Sequence, residues 1–185
     1  MPKPEMTGRE RLLVAIRHKD PDRVPISPRV GAWLQAEYGD TSLAAHLDKL
    51  PDMDPMHIVS EGTPNTLERY PDDYGLPGTG VDVLKTCTPP PVGDFDLAEA
   101  KEKIGQKTTI KGYVDLLYVV KRGTPERVEK TVREAMEIAK PGAGFIIGSS
   151  DSFREGTPRE NIVTYFEACK KYGVYGKSSA RTSRV

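Results

Sequence analysis

The chain holds 185 residues with 27 basic and 27 acidic side chains, a formal net charge of zero. That balance supplies no basic stripe of the kind a polyphosphate partner selects, so nucleic acid is not expected as a partner. No apolar run approaches the roughly 20 residues that a membrane span needs, and the first residues, Met1-Pro2-Lys3-Pro4-Glu5, lack the apolar stretch of a secretory signal.

Only Cys87 and Cys169 are present, far apart and without CxxC spacing. This argues against a disulfide scaffold or zinc knuckle and for a reducing, cytoplasmic setting. Length predicts one domain, residues 1–173, followed by a flexible polar tail over 174–185.

In chain order, Thr7-Gly8-Arg9-Glu10 has the form of a capping box. Leu12, Leu13, Ala15 and Ile16 then share one helical face, and Asp20-Pro21 ends the element. Val24-Pro25-Ile26 reads as a short strand, and 32–38 and 43–50 as short helices. Residues 51–80 hold prolines, aspartates and asparagines that interrupt any period, with a strand at Met56-His57-Ile58-Val59 as one reading.

The second half is more regular. A strand is predicted over 81–84. A capped helix opens at Asp96-Leu97-Ala98-Glu99, and a strand follows over 108–111. Thr124-Pro125 opens a helix with threonine at the N-cap and proline in its first turn. Val128, Val132, Ala135, Met136 and Ala139 form its apolar stripe. Phe145-Ile146-Ile147 is a strand, and Thr157-Pro158-Arg159-Glu160 opens a last helix striped by Ile162, Tyr165, Phe166 and Cys169 and closed at Gly173. Such alternation of strand and helix predicts a parallel sheet covered by helices. Gly-Thr-Pro recurs at Gly62, Gly123 and Gly156; good helix-start chemistry explains it without an internal repeat.

Two segments resemble the uroporphyrinogen decarboxylase family and its corrinoid methyltransferase relatives. One is TGRERLLVAIRHKDPDRVP, from Thr7 to Pro25. The other runs from Gly80 to Gly173 and is similar to the family's last three βα units. The resemblance implies an α/β fold, a partial TIM-type (β/α) barrel made of the first one or two and the last three βα units. A whole barrel takes roughly 250 residues, so central units are expected to be missing near 70–80. Unpaired sheet edges favour pairing with another chain, so a homodimer, or else instability, is expected.

Barrel sites form in the loops that follow each strand. Here these are Ser27-Pro28-Arg29, Thr86-Cys87-Thr88, Gly112-Tyr113-Val114-Asp115 and Ser149 to Arg154. The resemblance implies decarboxylation of the acetate side chains of a tetrapyrrole, with no cofactor. Asp151 and Asp115 are the candidates for catalytic carboxylates. Arg29 and Arg154 are candidates for gripping substrate carboxylates, with Ser150 and Tyr113 lining the site. Asp151 and Asp115 read equally as loop or turn carboxylates that bind backbone N–H groups, and Arg29 as a surface arginine. The decarboxylases' arginine-rich stretch is reduced here to Arg29. The alternatives are a methyltransferase-like protein working with zinc and a corrinoid partner, whose histidine-x-cysteine ligand motif is absent, and a non-catalytic tetrapyrrole-binding or assembly module.

Overall fold

A computed structural model describes residues 6–42, 48–54 and 83–175. The expected strand at 56–59, the first Gly-Thr-Pro, the missing units near 70–80 and the tail beyond Tyr175 lie outside the described residues, as does part of the helix expected over 43–50. The described elements run α1 (Gly8–Ile16), α2 (Gly31–Tyr38), β1 (Val83–Cys87), α3 (Leu97–Lys103), β2 (Thr109–Val114), a π-helical segment (Leu116–Lys121), α4 (Pro125–Ala139), β3 (Phe145–Ser149) and α5 (Arg159–Gly173).

The cap chemistry sets most helix starts. The Thr7 hydroxyl accepts from Glu10 N while the Glu10 carboxylate accepts from Thr7 N, closing the box at α1. Asp96 caps α3 by accepting from Glu99 N; the Glu99 carboxylate is engaged by Lys103 one turn on. Thr124 caps α4 with Pro125 in the first turn. Its buried face is Val128, Val132, Ala135, Met136 and Ala139, the predicted stripe. The last helix departs from expectation. Thr157 does not cap it; its hydroxyl donates to Arg154 O at 2.7 Å, and α5 begins at Arg159 behind an N-cap proline.

The three strands form a parallel sheet in the order β1-β2-β3. Residues 24–27 lie beside β3 in the same direction: Ile26 bridges Ile147, Ser27 N donates to Ile147 O at 2.8 Å, and Ile147 N donates to Pro25 O at 3.0 Å. The chain's first extended segment thus neighbours its last strand, as closure of a (β/α) barrel requires. The four adjacent strand positions among the described residues correspond to half of the eight in a complete barrel.

The sheet separates two apolar layers. Ile110, Val114, Phe145 and Ile147 pack with α4 and α5 in the main core, joined by Val24 and Ile26. On the other face Ile146 packs with Leu12 and Ala15 of α1. A buried ion-pair network ties the first segment down. Asp54 receives Arg11 at 2.5 Å, Arg23 at 2.6 Å and the backbone N–H of Ile26 at 2.9 Å. Arg11 also binds Asp22 at 2.5 Å. The C-terminal end of α5 closes on the same region, with Val24 N donating to Gly173 O at 2.8 Å.

Candidate functional site

Parallel strands bring their C-terminal ends to one side of the sheet, and the loops after them gather there. The 24–27 segment delivers Arg29 and β3 delivers Ser149 to Arg154. Hydrogen bonds join the two loops: Phe153 N donates to Arg29 O at 2.6 Å, and Arg29 N donates to Ser149 Oγ at 3.4 Å. Phe153 is fully buried and sits edge-on to Tyr165 of α5, which anchors the loop to the core.

This frame places Asp151 between two guanidinium groups. Arg154 pairs with one carboxylate oxygen, and Arg29 Nη1 lies 3.7 Å from the other. Ser152 N also donates to Asp151 at 2.7 Å. Partial burial works against the charge on Asp151. The Ser152 N–H and the two arginines outweigh it and hold the carboxyl below the ordinary aspartate range. All three side chains remain open to solvent. The cluster is therefore an ionised carboxylate flanked by cations, able to meet a ligand that carries both a positive centre and carboxylates.

Ser150 is placed differently. Its hydroxyl accepts from Leu116 N at 3.2 Å and its N–H donates to Val114 O at 2.8 Å, so it stitches the β3 loop to the β2 loop. Asp115 is buried and caps the π-helical segment, accepting from Tyr118 N at 2.5 Å. Tyr113 lies half-buried in a cleft of about 280 Å³ with Asp115, Pro89, Arg127 and Glu134. Burial, then the carboxylates of Asp96 and Glu134, push its phenol above the ordinary range. Gly112 makes this turn possible. Its φ is +129°, and a Cβ there would meet Cys87 N at 3.1 Å. Arg29, Asp151 and Arg154 thus form one group, Tyr113 and Asp115 another, with Ser150 between the two loops.

The zinc of the methyltransferase alternative would need grouped donors. Among the described residues no three His, Cys, Asp or Glu side chains come together to hold a metal. Burial pushes the Cys87 thiol up to about 12 and the Cys169 thiol higher still, away from thiolate character. Among the described residues no helix is long and apolar enough to cross a membrane.

The expected residues omit a feature of the sheet itself. Lys85 of β1 and Lys111 of β2 are register partners, and Lys111 is 9% exposed. The available signal was a lysine beside Ile110 inside a predicted strand.

Residues 42–172 match the family model described as uroporphyrinogen decarboxylase. The chain belongs to the uroporphyrinogen decarboxylase family. The match takes in all but the last residue of the second resembling segment and begins after the first. Among curated proteins, the chloroplastic uroporphyrinogen decarboxylase of Zea mays is 30% identical over 122 residues, covering 65% of this chain and 27% of that protein. The uroporphyrinogen decarboxylase of Hordeum vulgare is 30% identical over 122 residues, 32% of its length. That of Prochlorococcus marinus strain MIT 9211 is 31% identical over 118 residues, covering 63% of this chain and 29% of that protein. The chain therefore spans roughly a quarter to a third of the relatives it matches. Among solved structures, a methyltransferase from Methanosarcina mazei aligns over 49% of this chain and 25% of its own, at 20% identity and a TM-score of 0.41.

Proposed function

We propose that this chain binds a uroporphyrinogen-type tetrapyrrole at the cluster of Arg29, Asp151 and Arg154 and removes CO₂ from its acetate side chains. The observation that carries this reading is an accessible, ionised Asp151 held between two arginines on the loop side of the sheet.

In the proposed reaction a pyrrole ring is protonated and becomes the electron sink. The bond between the side-chain methylene and its carboxylate breaks, CO₂ leaves, and the electron pair enters the ring. The methylene carbon then takes a proton to become a methyl group, and the ring loses its own. The balance is one carboxylate and one proton consumed for one CO₂ released, with no cofactor. Asp151 stabilises the cationic ring, as a fixed charge aimed at developing charge does. Arg29 and Arg154 hold neighbouring carboxylates. Asp115 is the less suitable carboxylate, since it is buried and occupied by the Tyr118 N–H.

The reading includes a homodimer. Its support is the arc of four strand positions among the described residues, half of a closed barrel. Light scattering across a concentration series tests it, and a monomer at all concentrations removes it.

The reaction is tested by anaerobic incubation with uroporphyrinogen and mass spectrometry of the product. Successive losses of CO₂ are expected, reduced about a hundredfold or more by Asp151→Asn. Tight binding with no mass loss would make the chain a tetrapyrrole-binding module instead. Activity unchanged by the substitution would take Asp151 out of the mechanism.

A further inference from the structure

Buried cations in this protein are generally partnered. Arg11 is 2% exposed and binds two aspartates. Lys101 is 9% exposed, and its ammonium donates to Ala143 O at 2.6 Å. Lys111 is buried to the same degree as a residue, but its Nζ is not among the buried polar atoms that lack a partner, and no hydrogen bond or ion pair to a described residue engages it.

Its position explains which way it faces. Lys111 is the register partner of Ile146 on one side and of Lys85 on the other. Lateral partners in a sheet share a face. Ile146 packs on α1, while Ile110 and Val114 pack in the opposite layer. Lys111 and Lys85 therefore share the inner face with Ile146, turned away from α4 and α5. Like charges on directly opposed strand positions destabilise a sheet, and burial of most of the Lys111 side chain adds a desolvation cost. Arg29 adds a third cation at the rim, where Asp151 answers it at 3.7 Å. Burial, then Lys85 and Arg29, lower the Lys111 ammonium to about 8. It still carries most of its charge at neutral pH.

We propose that Lys111 and Lys85, with Arg29 at the rim, form an anion site on the inner face of the sheet that takes a carboxylate of the ligand. This rests on the reading that the ligand is a polycarboxylic tetrapyrrole. The site holds a side-chain carboxylate of a ring other than the one at Asp151, and so sets the depth and orientation of the bound macrocycle. A lysine is a point charge that accepts carboxylate or phosphate, so the test includes both.

The full chain is titrated with uroporphyrin, citrate and inorganic phosphate by calorimetry, alongside Lys111→Met, Lys111→Arg and Lys85→Met. Uroporphyrin affinity is expected to fall about tenfold or more in both methionine variants and to stay near the parent value in Lys111→Arg. Lys111→Met removes an uncompensated charge and is expected to unfold at the same temperature or higher. Should it unfold instead, the exposed Lys85 decides the matter: unchanged affinity in Lys85→Met overturns the site. Uroporphyrin binding that ignores both substitutions overturns the anion site and leaves the tetrapyrrole reading standing. Citrate binding lost in Lys111→Met, with no uroporphyrin binding by the parent chain, keeps the site and removes the tetrapyrrole. Binding of phosphate alone overturns the assignment to carboxylate, and no binding of any probe overturns both.

Discussion

The Arg11 guanidinium and the Asp54 carboxylate meet at 2.5 Å across 43 residues of sequence, each with a side chain 2% exposed. The same carboxylate also holds Arg23 and the Ile26 N–H. Removing one partner of a buried ion pair leaves the other charge uncompensated. Asp54→Ala is therefore expected to cost about 3–5 kcal/mol, measured by urea unfolding. A loss under about 1 kcal/mol would mean that water already serves these arginines.

Asp22 makes stability depend on acid. Burial raises its carboxyl, but Arg11 and the N–H groups of Met6 and Arg23 outweigh this and lower it. A group lowered in the folded state contributes stability above its unfolded value, about 3.9 for aspartate. That contribution disappears as pH falls through the lower folded value. Asp22→Asn should flatten the acid limb of a stability-versus-pH curve while the parent chain stays level from pH 7 to about 5. Identical acid limbs would assign the dependence to other carboxylates.

Asp151 should report on Arg154. With Arg154→Met the carboxyl loses its nearest cation and rises toward the ordinary aspartate value, read by carbon NMR of the labelled side chain. Arg29→Met should move it less, because that guanidinium stands farther off at 3.7 Å. Equal shifts in both variants would show that Arg29 swings closer in solution.

Thr124 and Thr157 stand in the same tripeptide but act differently. Thr124→Ala removes an N-cap and should cost about 1 kcal/mol, with Thr124→Ser recovering most of it. Thr157→Ala removes a hydrogen bond to Arg154 O within the loop. Its effect should fall on ligand affinity at Arg154 and Asp151 as well as on melting temperature. Thr157→Ala with full affinity would confine that hydroxyl to a role in stability.

Both thiols should resist labelling. Cys87 and Cys169 are buried and raised by burial. A disulfide reagent at pH 8 should modify neither in the native chain and both in guanidinium. Rapid native labelling of Cys87 would show that β1 opens readily.

The legible parts of the sequence are those whose chemistry is local. Thr7 with Glu10, and Thr124 with Pro125, mark helix starts with groups three residues apart. The α4 stripe follows from helical periodicity alone. The alternation of strand and helix carried the α/β class, and the family motifs carried the barrel. Leu116–Lys121 escaped notice because its apolar run has no period, and its π-helical form depends on Asp115 and on the β3 loop. Asp54 escaped because its partners lie 28, 31 and 43 residues away. Lys111 escaped because its burial depends on which face of the sheet its neighbours occupy. Within the candidate site, loop position singled out Arg29, Asp151 and Arg154. The separation of Tyr113 and Asp115 from them follows from the backbone at Gly112 and from the bonds of Ser150, which only three-dimensional packing reveals.

The bridge between Ile26 and Ile147 also bears on biosynthesis. A ribosome adds about 5–20 residues per second, so this early segment is made well before its β3 neighbour. During that interval the backbone groups of residues 25–27 that later bond β3 have no such partner. Val24 and Ile26, sealed in the core of the folded chain, then lack the later-made contacts that bury them. Slow stretches of translation placed before β3 would lengthen this vulnerable period, and those placed after it would not.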